Sequence, residues 1–268
     1  MEQLQVLVAT MHQKDFSIAE KMNIQCSAVI ANQAGREETA VRKGENGSWK
    51  MITTATRGVG LNRNIALLGA DAQLLLFADD DVVYNDDMPA QVVRAFRENP
   101  QADVLIFGMD ILKNGQVAEK RHLPHRKRHV WDSMRFGTYT IAARKDSIVG
   151  HNITFHQWFG GGCMYSAGED SIFLKNCFDA GLQVYSHPYV LGTCCKDTSS
   201  WFVGHNEKYF YDKGALMAHL FPRVPHMMGL YFGIRFKRET DVPVLRRLGL
   251  IFRGIAGGRK LEPYKEMK

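Results

Sequence analysis

The chain has 268 residues, 45% hydrophobic and 23% charged, with 34 Lys/Arg against 28 Asp/Glu and a formal net charge of +6. This is the composition of a soluble globular protein, long enough for one large core or two smaller ones. No apolar run reaches the ~18–20 residues needed to cross a bilayer, and the N-terminus lacks a secretory pattern. Five cysteines (Cys26, Cys163, Cys177, Cys194, Cys195) without metal-type spacing fit a reduced, cytoplasmic chain. The charge is unevenly spread: residues 221–268 carry eleven Lys/Arg and four acids, which makes +7 and leaves about −1 for residues 1–220. Charge therefore excludes a nucleic-acid surface over most of the chain, and the basic tail has no recognisable reading element.

In chain order, "LQVLVAT" and "CSAVIANQ" read as buried strands, each closing on polar residues. "GLNRNIALLGA" has helical spacing, with Ile65, Leu68 and Gly69 on related faces. "QLLLFA" is a third strand. "DDMPAQVVRAFRENP" predicts a helix with Pro89 in its first turn, Val92, Val93 and Phe96 on one face, and an end at Asn99–Pro100. "ADVLIFG" is another strand, Asn114–Gly115 signals a hairpin turn, "KRHLPHRKRH" is a basic loop, and "TYTIAA" alternates as a strand does. The alternation of strands and helices predicts an α/β fold with a mostly parallel sheet covered on both faces, where ligands gather at the carboxyl ends of strands.

Two acidic clusters stand out. "FADDDV" places Asp79, Asp80 and Asp81 directly after a buried strand. Strand alternation would point Asp79 and Asp81 to one side, where paired carboxylates suit a hard cation such as Mg²⁺ or Mn²⁺. The plain alternative is an acidic turn facing solvent. The second cluster is "FGGGCMYSAGED", where Gly160, Gly161 and Gly162 allow close backbone approach and Glu169 and Asp170 open a helix striped by Phe173, Leu174, Cys177 and Phe178 and ended by Gly181. Acids there could simply complement the helix dipole. Beside a glycine loop they also suit general-base work on a bound hydroxyl.

Taken together, the strand ending at Thr10, "VIANQ", "GLNRNIAL", "FADDDV" and "FGGGCMYSAGEDSIFL" resemble a family-2 glycosyltransferase with the GT-A fold. The similarity spans roughly residues 4–215, and "SSWFVGHNEKYFYDKGAL" resembles bacterial members that build surface polysaccharide such as capsule or lipopolysaccharide. The resemblance implies a GT-A (nucleotide-diphospho-sugar transferase) catalytic domain over 1–215. Its donor half would be about 1–110 and its acceptor half about 111–215, followed by a basic, partly helical extension over 216–268. It implies that Asp81, with support from Asp79, holds Mn²⁺ or Mg²⁺ and through it the diphosphate of a UDP-sugar, with Asp79 and Asp80 near the ribose. Thr10, Asn32 and Arg63 would lie along the uridine, Asp170 would be the base and Glu169 its neighbour. Gly161, Gly162, Trp158 and Trp201 would be acceptor-site candidates, and His205 a candidate further metal ligand. Asn32 stands where an Asp is common in the family, and "GLNRN" is a shortened form of its usual motif. The implied reaction is an inverting transfer to a glycan or lipid-linked acceptor, with Asp170 expected to have a pKa lowered by its helix N-terminus.

The tail "VLRRLGLIFRGIAGGRKL" repeats Leu245, Leu248, Ile251, Phe252 and Ile255 at three- and four-residue steps among arginines. That fits either an interfacial helix on the inner leaflet of the plasma membrane or a helix packed on the catalytic domain. Two other functions fit parts of the sequence. One is a haloacid-dehalogenase-like phosphatase, whose DxD follows the first strand. The other is a non-catalytic nucleotide- or glycan-binding module.

Overall fold

The computed structural model describes residues 3–195, 204–236 and 239–266. In chain order it contains β1 (Leu4–Met11), α1 (Ser17–Lys21), β2 (Ser27–Gln33), β3 (Glu38–Gly44), β4 (Gly47–Thr54), α2 (Val59–Gly69), β5 (Leu74–Asp79), β6 (Val82–Tyr84), α3 (Met88–Glu98), β7 (Val104–Lys113), β8 (Gln116–Arg121) and β9 (Arg126–Lys127). These are followed by β10 (Ile141–Arg144), α4 (Lys145–Gly150), α5 (Glu169–Asp179), β11 (Val184–Cys195), α6 (Glu207–Leu220), α7 (Pro225–Arg235) and α8 (Val244–Lys260).

One mixed sheet runs in the order β3-β4-β2-β1-β5-β10-β7-β11-β6, with β8 paired to β7 and β9 to β11. Its centre is parallel: β1 pairs β2 and β5, and β2 pairs β4. The antiparallel β10 sits between β5 and β7. The uninterrupted apolar runs follow from burial on both faces. Val6, Val8, Leu74 and Leu76 point to one face, packed with Ile18 of α1 and Met88, Val92 and Phe96 of α3. Leu7, Leu75 and Phe77 point to the other, with Ala66 and Leu67 of α2, Ile148 of α4 and Phe173, Leu174 and Cys177 of α5.

The Asn114–Gly115 turn joins β7 to β8 with both residues at positive φ (52° and 72°), the geometry a two-residue hairpin requires. Two sequence expectations differ from the fold. Thr138–Thr140 forms a 3₁₀ turn, and the strand begins only at Ile141. Leu68 of α2 is exposed, while the polar Asn62, Arg63 and Asn64 are buried. Of the two readings of the tail helix, packing on the domain accounts for Ile251 and Ile255 of α8, which are fully buried against α6 and α7, while Leu245 and Phe252 stay exposed. The packing of α8 has a steric basis. Glycines bring α6 and α8 almost into backbone contact: a Cβ on Gly214 would lie 2.0 Å from the Ile251 carbonyl oxygen, and one on Gly254 would lie 1.9 Å from that of Tyr211. Helix α6 itself runs through residue 215 without a break. Among the described residues no helix is long and apolar enough to cross a membrane.

Candidate active site

The carboxyl ends of β1, β2 and β5 lie side by side, Thr10 in register with Asn32 and Ala9 with Asp79. Helix α2 starts over them. Its Asn62 Nδ2 donates to the carbonyls of Thr10 (3.1 Å) and Ala31 (3.0 Å), so a buried amide fixes the helix to two strand ends. The next residue is Arg63. Its guanidinium is almost fully buried over the Phe155 ring, 5.4 Å from the centroid. It donates to Asp79 Oδ1 at 2.5 Å and to Glu169 Oε1 at 2.8 Å. One side chain thus joins the acidic end of β5 to the acidic start of α5. Burial opposes the charge on Arg63, but the two carboxylates more than offset it and hold its pKa above the usual arginine value.

The three consecutive aspartates diverge. Strand β5 stops at Asp79, and Asp80 and Asp81 form a turn, so strand alternation no longer governs their directions. Asp79 takes Arg63, Asp80 Oδ2 accepts from Thr10 Oγ1 at 2.6 Å, and the Asp81 side chain hydrogen-bonds Cys194. The Asp81 carbonyl also accepts from Cys195 N at 2.9 Å. Both Asp80 and Asp81 are exposed, yet both carboxyls are raised in pKa. Crowding by the surrounding strand ends is the first cause and the Asp79 charge adds to it, carrying Asp81 to about 6. Among the described residues no three His, Cys, Asp or Glu side chains converge as a metal-holding group.

The second acidic segment is shaped by glycine. Gly168 caps α5 at φ +123°, and a Cβ there would lie 2.6 Å from Leu216. Gly160, at φ +108°, leaves room for Glu169: a Cβ would lie 2.5 Å from Val59 Cγ1 and 2.8 Å from the Glu169 carboxyl carbon. The Gly161 carbonyl accepts from Val59 N at 2.9 Å, tying the glycine loop to the start of α2. Asp170 Oδ1 accepts from Ser171 N at 2.7 Å. Its pKa is raised to about 6, first by burial and then by the Glu169 charge, with Arg63 opposing. The helix N-terminus was expected to lower it. Desolvation and a neighbouring like charge outweigh that dipole.

The other candidates are distributed as follows. Asn32 is fully buried and committed to its own scaffold: it accepts from Gln13 N (2.9 Å) and donates to the Gln13 carbonyl (3.0 Å) and Thr53 Oγ1 (3.1 Å). Gly161 and Gly162 lie in the loop beside Glu169, and Trp158, at its entrance, is exposed. The His205 ring packs on Tyr209 and Phe236, and its Nδ1 contacts the Glu239 carbonyl at 3.1 Å. Trp201 lies outside the described residues. The acids follow the fifth strand, so the first-strand arrangement of the phosphatase reading is not met.

Sequence reasoning missed two supports. Gln13 Nε2 donates to Thr10 Oγ1 at 2.9 Å, aligning the hydroxyl that holds Asp80. Asp212 of α6, almost fully buried, accepts from Ser166 N (2.9 Å), Ser166 Oγ (2.7 Å) and Lys208, and so anchors the end of the glycine loop to the C-terminal helices. For Asp212 the available signal was an acid at an inward-facing helix position.

Comparison with known proteins bears on the fold. The family model described as "Glycosyl transferase family 2" matches residues 36–159. No curated protein sequence matches. Among solved structures, S. aureus TarS 1-349 in complex with UDP-GlcNAc is 13% identical, with a TM-score of 0.63, covering 94% of this chain and 81% of that one. The same protein in complex with UDP is 15% identical, with a TM-score of 0.60 and coverage of 97% and 83%. At such identity the likeness establishes the fold, a GT-A fold, and the family model matches residues 36–159, somewhat less than half of the chain.

Proposed function

We propose that the protein is an inverting glycosyltransferase that moves a sugar from a UDP-sugar to a hydroxyl of a glycan or lipid-linked acceptor in surface polysaccharide synthesis. The observation that carries this reading is the Arg63 clamp. By bonding Asp79 and Glu169 at once, it joins the strand end that leads to Asp81 to the helix start that carries Asp170. A nucleotide-sugar donor agrees with the family match and with the UDP and UDP-GlcNAc complexes of the structural neighbour.

In this reading Asp170 is the base. A carboxyl with a pKa of about 6 is ionised at neutral pH and is a better proton acceptor than an ordinary aspartate. With Oδ1 held by Ser171 N, Oδ2 takes the proton of the acceptor hydroxyl as that oxygen attacks the anomeric carbon opposite the diphosphate. An α-linked donor then gives a β-glycoside. Glu169, locked by Arg63 and Gly168 N, keeps Asp170 at raised basicity without itself reaching the substrate. Asp80 and Thr10 shape the nucleoside side of the site.

The chain's donor set fits a divalent cation. Asp81 is a carboxylate oxygen donor destabilised by Asp79 and Asp80, and Mg²⁺ or Mn²⁺ is held in many phosphate-transfer sites by one or two carboxylates plus substrate phosphates. When bound, such an ion would neutralise charge developing on the departing diphosphate. Asp81 is the residue we assign to hold it, with Asp79 largely committed to Arg63.

UDP release over a panel of UDP-sugars, with Mn²⁺ or with EDTA, tests the reading. Asp170→Asn should retain UDP binding by calorimetry and lose about 10²- to 10⁴-fold in turnover. Asp81→Asn should lose the metal-dependent part of donor binding. Near-normal turnover by Asp170→Asn would end the assignment.

A further inference from the structure

Helix α7 is built inside out. Its inward positions are Pro225, Gly229 and Gly233, all buried. The two glycines let it lie directly on α8: a Cβ on Gly229 would be 2.7 Å from Ile251 Cγ2, and one on Gly233 would be 2.5 Å from Leu248 Cδ2. The large apolar side chains point the other way. Met227 is 60% exposed, Leu230 41%, Tyr231 60% and Ile234 61%, spaced 0, 3, 4 and 7 along one helical face. Leu245 at the start of α8 is 85% exposed, and Val224, Val244 and Phe252 are exposed as well. A soluble helix normally turns its apolar stripe to the core, and a contiguous exposed one marks an interaction surface.

What surrounds the stripe identifies the occupant. Arg223 and Arg235 flank it at either end of α7 and are exposed, with the Arg235 guanidinium over the Tyr231 ring at 5.9 Å. Residues 221–268 as a whole carry the +7 balance. A second copy docking through this face would bring two such surfaces together, with like charges around an apolar centre. An anionic bilayer surface satisfies both features, since acyl chains accept the apolar stripe and headgroups accept the arginines.

We propose that the α7 face, with Leu245 beside it, is a docking surface for an anionic lipid bilayer, and that α8 is the buttress beneath it. This assignment goes beyond the transferase reading and does not depend on it, because lipid binding needs neither donor nor base.

The test uses the full chain, with vesicles of phosphatidylglycerol mixed into phosphatidylcholine and vesicles of phosphatidylcholine alone. The wild type should sediment with the anionic vesicles and much less with the neutral ones, and high salt should weaken the binding. Arg223→Gln/Arg235→Gln should lower the partition coefficient roughly 30-fold, at about fivefold per basic residue. Met227→Ser/Tyr231→Ser/Ile234→Ser should lower it at least as far. All five side chains are exposed, so thermal melting of both variants should match the wild type. Ile234→Trp should show a blue-shifted emission with anionic vesicles that brominated lipid quenches. Equal sedimentation with neutral vesicles, no loss in the apolar variant, or unshifted Ile234→Trp emission would overturn the proposal. So would a concentration-dependent dimer in sedimentation velocity that the apolar variant abolishes, since that would make the face a contact between copies.

Discussion

Replacing Arg63 by Met is the most direct probe of the site's architecture, because it keeps an unbranched apolar side chain in the buried position and removes the guanidinium that lies over Phe155 and bridges the two acids. Arg63 has 5% of its side chain exposed, Glu169 12% and Asp79 31%. Removing one partner of a buried ion pair typically costs 3–5 kcal/mol, because the remaining charges stay desolvated and uncompensated. Asp79 is near one third exposed and water will recover part of its share, so the low end, about 3 kcal/mol, is the appropriate figure. For a chain of this size that corresponds to a melting temperature lowered by roughly 6–12 °C. Calorimetry at neutral pH with no ligand present measures it. Arg63→Lys should recover only part of the loss, because an ammonium is a point charge and cannot bridge two carboxylates as the planar fork does. Donor turnover should fall in both variants, since Asp79 and Glu169 would no longer hold the strand end and the helix start in one geometry. A melting temperature for Arg63→Met within about 2 °C of the wild type would show that the clamp does not join the two acidic segments, and the proposed site would fail with it.

Two further outcomes follow from the same geometry. Asp170 has its folded-state pKa raised above the ordinary carboxylate value of 3.8 to about 6, so the folded protein binds the extra proton between those limits. Its ionisation therefore destabilises the fold as pH rises through that window. Asp170→Asn should be more stable than the wild type at pH 8, with the gap closing by about pH 4; a gap of opposite sign would contradict the raised pKa. Wild-type turnover should rise through about pH 6 and level off above it. Gly160→Ala combines a φ of +108° with a Cβ 2.5 Å from Val59 and 2.8 Å from Glu169. It should cost about 2–3 kcal/mol and most of the activity. Gly181→Ala, at φ +80° with open space around it, should cost only about 1 kcal/mol. Equal effects of the two alanines in chemical denaturation would refute the crowding argument.

The sequence by itself determined the layered α/β core and the location of its acids. Runs such as "LQVLVAT" and "QLLLFA" are apolar at every position because both sheet faces are covered, and they are too short for helices. Asn114–Gly115 sits at its turn because few other pairs accept two positive φ values. Local chemistry of this kind is written in neighbouring residues. The tertiary structure decided what those neighbours could not. Asp79 and Glu169 are ninety residues apart, and their common partner Arg63 lies on a third element whose polar residues turn inward. The pKa of Asp170 reversed its expected direction, because desolvation and the charge of Glu169 are set by what packs around the helix start rather than by the helix itself. In the same way α8, apolar and basic by sequence, buries Ile251 and Ile255 but leaves Leu245 and Phe252 exposed, while α7 turns its large apolar side chains outward. Gly229 and Gly233 can approach a neighbour more closely than any larger side chain, and that close approach leaves Met227, Leu230, Tyr231 and Ile234 nowhere to go but outward.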